Sequence, residues 1–447
     1  MDFIEACRQF IAVDSTPQQS SKDIMELAAK LCKEQGLTVE LSQEIIEGQE
    51  EYNLIARPQG RTGGVEFLFQ THLDTVDPGP FQLWQKTRQN PFDATIIDGR
   101  IYGLGSADTK LDFLCKLAAI SKFKSHQAWK LPPVLVGTFG EESGMKGALK
   151  LIRKNQISAK MALIGETSNL HLINAAKGFA RVEIRIPFSD QELSYRQEHN
   201  LRESTTTQSK IFHGEAAHSS APHLGDSAIV KMLDYLNQIP ANVTLMEIDG
   251  GTNFNTVPAH AFLEIDLSPL SKPITHRIKS IFEVIRELEK EFQTYEDPEF
   301  FPTHPTLNIG IIRTLEDHVA IGGNCRIPPN ITQSIYEAWM KRLQAICEQN
   351  QAHFQVTDYK KPFRTLANSI LVKGCLDELR RLGLSDQCTT QPSSNEASIF
   401  SRVGIECVCF GAGLREGNIH TPHEHVAVED LNKAISFYER VLERFCL

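Results

Sequence analysis

No apolar run in this sequence approaches the roughly 20 residues that span a bilayer. The amino terminus, MDFIEACRQFIAVDSTPQQSS, carries early acidic residues and no continuous apolar segment of the secretory kind. A cytoplasmic protein is the expectation. A dense Lys/Arg stripe is also missing. With 56 acidic against 46 basic residues, the formal charge of -10 and the pI near 5.9 would repel phosphate backbones and anionic lipid, so neither nucleic acid nor membrane is an expected partner. There is no Gly-x-Ser-x-Gly elbow for a serine hydrolase. Gly103-Leu-Gly105 precedes a helix-like segment, but the third glycine of a dinucleotide fingerprint is absent and Asp108 would face the pyrophosphate. Cysteine is dilute: ten are scattered over 447 residues, which points to reduced thiols rather than a disulfide scaffold. Cys407 and Cys409 fall on one face of an expected strand and read as small buried apolar residues without chemistry.

What is present is the composition of a folded globular protein, 41% hydrophobic and 23% charged, with no low-complexity segment and no solenoid-period repeat. The length exceeds one ordinary core, so two compact units are expected. Residues 1–176 alternate helix-like segments with the short apolar runs VEFLFQ (65–70), VLVGTF (134–139) and MALIG (161–165), the pattern of an α/β layer with buried strands. From Lys177 the pattern turns β-rich with FARVEIRI, followed by the polar stretch SDQELSYRQEHNLRESTTTQS and further strand and helix signals. The α/β style returns near Lys361, with NSILVKGCLDELRRLG, IECVCFGAG and an amphipathic VEDLNKAISFYERVLERF. The fold class is therefore α/β, with residues 177–363 inserted as a second, α+β domain between 1–176 and 364–447.

Acidic residues and histidines follow the expected strands. VEFLFQT runs into His72 and Asp74, VLVGTFG into Glu141 and Glu142, MALIG into Glu166, and IECVCFGAG into a loop ending at His420. Asp108 sits just before helix-like TKLDFLCKLAAISKF, where an Asp naturally caps a helix. Each alone has an ordinary reading as a turn, cap or solvated helix start. In open α/β sheets, however, ligands bind beyond the carboxyl ends of strands, where such residues converge. Two imidazoles and three carboxylates suit two zinc ions with one carboxylate shared, leaving a fourth carboxylate free as a base and Asp74 to orient His72 from behind.

The stretches THLDTVDPG, GRIYGLGSADTK, GTFGEESGMKGA, IGETSN, GEAAHSSAPHLGDSAI and IHTPHEH together resemble a family of dinuclear zinc peptidases and deacylases. That family includes acetylornithine deacetylase, succinyl-diaminopimelate desuccinylase, carboxypeptidase G and carnosinase-like dipeptidases. The resemblance covers nearly the whole chain. It implies a zinc-exopeptidase-like catalytic domain whose central mixed sheet lies between helices, and an inserted lid that often forms a dimer contact; a homodimer and a monomer whose lid covers its own site are both open. By it, His72 and Glu166 would bind one zinc, Glu142 and His420 the other, and Asp108 would bridge them. By the same resemblance, cobalt would substitute for zinc. Glu141 would be the general base for a water held between the ions, and His420, rather than His423 or His425, fits the family's His-Thr-Pro-x-Glu pattern. His218 would reach the substrate carbonyl, Asn255 would contact substrate, and Arg326 would grip a substrate carboxylate in place of the usual arginine, where FLEIDLS ends in Ser268. An arginine on an exposed strand edge is the plain alternative for Arg326. Leu104, Leu111, Asp112 and PSSNEASIF depart from the family pattern without removing a ligand. The expected reaction is hydrolysis of the amide of an N-acyl amino acid or dipeptide; the competing expectation is a binding protein that keeps the fold without cleaving.

Overall fold

The apolar runs form the centre of a sheet. The structure, a computed structural model, describes residues 2–59, 64–126, 128–199, 207–240, 243–267 and 273–447. In it the runs are strands β1 (Glu66–His72), β2 (Pro133–Thr138), β3 (Ala159–Gly165) and β4 (Glu406–Phe410). β1 pairs in parallel with β2 and β3, and β3 in parallel with β4. Every residue of β1 and β2 is buried, which is why their centres read as apolar runs rather than as alternation: parallel strands are covered on both faces. Antiparallel strands flank this centre, Gln49–Pro58 beside β2 with Leu37–Ile46 outside it, and Leu172–Ala176 beside β4. The sheet is thus mixed, and the architecture is α/β as expected.

Helices α1 (Lys110–Lys122) and α2 (Val428–Val441) belong to the same core. α2 buries Leu431, Ala434, Tyr438 and Val441, a single stripe at helical spacing, together with Phe437. Its rings meet β4, with Phe410 and Phe437 centroids 4.2 Å apart, and Tyr438 stands edge-on to Phe69 of β1. α1 differs: it buries the charged Lys110, Asp112 and Lys116 along with its leucines. Its N-cap is Thr109, whose side chain makes no capping bond. The capping role expected of Asp108 is therefore not realised, because its carboxylate is engaged by two imidazoles instead.

The chain divides into two compact units, Met1–Ala175 with Phe363–Thr390 and Asn395–Leu447, and Ala176–Pro362 with Gln391–Ser394. The second holds an antiparallel sheet in the order Thr207–His213, His260–Asp266, Thr244–Gly250, Thr306–Thr314, His318–Ile327, Gly178–Pro187, His353–Lys360. Helices Ala228–Gln238, Ile274–Phe292 and Gln333–Gln349 supply its apolar core. The polar stretch after FARVEIRI forms helix Asp190–His199; residues 200–206 and Ser268 lie outside the described residues.

Nine of the ten cysteines, all but Cys388, are buried free thiols. Burial pushes the thiols of Cys7, Cys325 and Cys347 up to about 12. Cys407 and Cys409 lie fully buried in β4. Among the described residues no helix is long and apolar enough to cross a membrane.

Candidate metal centre

The parallel strands deliver their ligand candidates at one edge of the sheet. His72 ends β1, Glu141 and Glu142 follow β2, Glu166 follows β3, and the chain leaving β4 reaches His420. Asp74 ties two of these exits together: its carboxylate accepts the backbone N–H of Glu141 at 3.1 Å and of Glu142 at 3.0 Å. His72 Nδ1 lies 3.1 Å from the Asp74 carbonyl and 3.6 Å from its carboxylate, which assigns the Nδ1 proton and leaves Nε2 for the site.

Asp108 is the hub. One carboxylate oxygen stands 3.4 Å from His72 Nε2 and the other 3.2 Å from His420 Nε2, while His420 Nε2 is also 3.0 Å from Glu142 Oε1. Asp108, Glu142 and His420 each place a ligand atom within 4.8 Å of the others. His72 joins this group through Asp108. Glu166, buried at the end of β3, lies outside it and has Arg415 Nη1 3.4 Å from its carboxylate. The two imidazoles differ in access: the His72 side chain is 2% exposed and that of His420 45%.

Burial opposes a charge on either histidine, but the bonds to Asp108, joined by Asp74 at His72 and by Glu142 at His420, outweigh it, so His72 is held well above its ordinary range and His420 is raised to about 11. Asp108 shows the converse: burial would raise it, and the two histidines hold it far below the usual carboxylate range. Burial first, and Glu142 second, push the Glu141 carboxyl well above its ordinary value. The positions between these nitrogens and oxygens thus favour positive charge, and nitrogen with carboxylate oxygen is the donor set that suits a zinc-class cation. Asp108, Glu142 and His420 therefore present a donor set that fits a divalent cation.

Two buried carboxyls carried no sequence-based role. Glu424 accepts the backbone N–H of Ala107 at 2.9 Å and of Asp108 at 3.0 Å, which fixes the hub from behind. Glu396, within PSSNEASIF, accepts from Thr138 Oγ1 at 2.8 Å and from Gln70 Nε2. Burial pushes both up to about 7. Glu424 is the glutamate that closes the His-Thr-Pro-x-Glu pattern, which is the signal for it, whereas nothing in the spelling of PSSNEASIF distinguishes a buried glutamate from a solvated one. His423 is exposed, and His425 stacks on Tyr102 at 4.9 Å.

In the second unit, His218 is exposed with Nδ1 2.7 Å from Ser220 Oγ, and its strand pairs with Thr256–Val257. Ser219 N–H donates to the Asn255 carbonyl at 2.8 Å. Arg326 is 5% exposed, on a strand with neighbours on both sides; its guanidinium lies 4.7 Å from the Phe179 ring and 3.4 Å from Ser219 Oγ. It is not an arginine on an exposed strand edge.

Residues 68–444 match the profile of peptidase family M20/M25/M40. The chain belongs to that family. It is a hydrolase of amide bonds, and family membership carries divalent-metal binding. The acetylornithine deacetylase of Photorhabdus laumondii is 31% identical over 295 residues, 60% of this family member and 67% of that enzyme. An M20 metallo-carboxypeptidase from Sulfolobus solfataricus shares the fold at a TM-score of 0.63 and 18% identity, with 100% of this chain and 99% of that one covered. The aminoacylhistidine dipeptidase of Vibrio alginolyticus matches at a TM-score of 0.63 and 15% identity, over 99% and 96% of the two chains.

Proposed function

We propose that the chain uses two zinc ions to hydrolyse the amide of an N-acyl amino acid or a dipeptide that carries a free carboxylate. The observation that carries this reading is the Asp108 carboxylate set between His72 and His420, with Glu142 beside His420. One ion is assigned to His72 and Glu166, the other to Glu142 and His420, with Asp108 shared. Bound there, such ions lower the pKa of water and polarise the scissile carbonyl. Glu141 takes the proton of the attacking water and passes it to the departing amine, leaving a carboxylic acid and a free amine. Burial and the neighbouring Glu142 raise its pKa, which makes the carboxylate a stronger base toward water. Asp74 fixes the His72 tautomer and the loop that carries Glu141.

Residues 1–176 with 364–447 are assigned the catalytic role, and 177–363 that of a lid and dimerisation domain. From the lid, His218 is proposed to donate to the oxyanion, and Asn255 and Arg326 to hold substrate. Nine buried free thiols accord with action in the cytoplasm. The substrate class is tested by offering N-acetyl and N-succinyl amino acids and dipeptides to zinc- or cobalt-loaded enzyme; cleavage of none of them overturns it.

Chelation is expected to abolish this hydrolysis, and added zinc or cobalt to restore it, with up to two ions per chain by elemental analysis. Full activity in rigorously metal-free protein would remove the proposal. Arg326→Ala is expected mainly to raise KM and to erase the preference for a free carboxylate over its amide, with Asn255→Ala weaker in the same direction. Unchanged discrimination in steady-state kinetics would return Arg326 to a structural role.

A further inference from the structure

From the first turn of α1 to the next, the chain buries a complete ion pair. Asp112 is 6% exposed and Lys116 fully buried, with 2.7 Å between Lys116 Nζ and Asp112 Oδ2. The same carboxylate oxygen accepts from Thr71 Oγ1 at 2.7 Å, and the other accepts from the Tyr438 hydroxyl. Lys116 also donates to the Gln70 carbonyl at 2.6 Å and to Thr71 Oγ1 at 2.9 Å. The Tyr438 hydroxyl lies 3.2 Å from the Phe410 carbonyl, which accepts the backbone N–H of Glu166.

These partners are not dispersed through the core. Thr71 immediately precedes His72, Gly165 immediately precedes Glu166, and Phe410 ends the strand whose exit leads to His420. A Cβ on Gly165 would stand 2.3 Å from Asp112 Oδ2 and 2.7 Å from Thr71 Oγ1, so the end of β3 is pressed against the carboxylate. α1 itself begins directly after Asp108 and Thr109. Stability alone does not account for such a group, because well-packed apolar side chains commonly replace a buried ion pair with no loss. What apolar packing cannot supply is directional fixing of several backbone exits at once. The pair is also neutral as a unit, so it fixes those exits without adding net charge beside the ligands.

We propose that Asp112 is a positioning residue: through Thr71, Lys116 and Tyr438 it locks the ends of β1, β3 and β4 in the register that the metal centre requires, and so sets the affinity of that centre. This rests on the metal-centre reading above. Zinc affinity is measured by chelator competition on the full chain, first for the parent. Asp112→Asn keeps the volume but removes the charge, and is expected to bind zinc about tenfold or more weakly, in the range of outer-shell partners. Lys116→Met should act in the same direction. Tyr438→Phe removes one hydroxyl and is expected to weaken zinc several-fold even if Asp112→Asn fails to fold. Leu379→Ala, buried on helix Ile370–Arg381 outside this hydrogen-bonded group, should lower Tm while leaving zinc affinity in place.

If the parent binds zinc and the folded Asp112 and Tyr438 variants bind it equally tightly, the proposal is overturned. It is also overturned if Leu379→Ala loosens zinc as much as they do at a comparable loss of Tm. A parent that binds no zinc overturns the metal-centre reading itself, and this proposal with it.

Discussion

Glu141→Gln is expected to keep its metals while turnover falls at least about a hundredfold, because general-base catalysis contributes on the order of 10²- to 10⁴-fold. The substitution keeps the side chain's shape, and the loop is held from elsewhere, by Asp74 accepting the backbone N–H groups of residues 141 and 142. The amide cannot take a proton from water. Substrate binding should survive, giving an inactive complex suited to crystallography. Its neighbour behaves differently: Glu142 Oε1 lies 3.0 Å from His420 Nε2, so Glu142→Ala removes an anionic oxygen from the group and should lower metal affinity. Elemental analysis and single-turnover rates on both variants decide the assignment. An active Glu141→Gln, or one that loses metal while Glu142→Ala keeps it, reverses the roles.

Asp108→Ala should be the most damaging change to the metal centre. Its two oxygens face two different imidazoles, so one substitution removes a donor from both halves of the group. The expected loss in zinc affinity exceeds the ten- to hundredfold typical of an outer-shell partner, with hydrolysis falling below detection. Glu424→Gln offers the contrast. It retains an oxygen for the backbone N–H groups of residues 107 and 108, and its effect should stay at the outer-shell level. Two tightly bound ions in Asp108→Ala, seen by elemental analysis after dialysis against chelator, would exclude a bridging role.

The strands that organise the centre were legible because they are buried on both faces. VLVGTF and MALIG are dominated by apolar side chains, and they differ from β2 and β3 by only a residue or two at their ends. That candidates such as His72, Glu142 and Glu166 share one edge follows from the parallel pairing of the strands they leave. The charged interior was not legible. Asp112, Lys116 and Glu396 carry letters that ordinarily denote solvated residues, and their burial is decided by partners distant in sequence: Asp112 by Tyr438, and Glu396 by Gln70 and Thr138. Asp108 shows the same limit. Local sequence offered a helix cap, but His420, which outcompetes that role, lies hundreds of residues away.

The sealed thiols turn this chain into its own gauge of opening. Native protein offers a thiol-directed reagent Cys388 at intermediate exposure, while nine other sulfurs are shut away and held as protonated, unreactive groups. Those nine are spread from Cys7 to Cys446 and across both compact units, Cys325 and Cys347 in one and the remainder in the other. Which of them becomes alkylated as denaturant rises would therefore record, residue by residue, which unit loosens first.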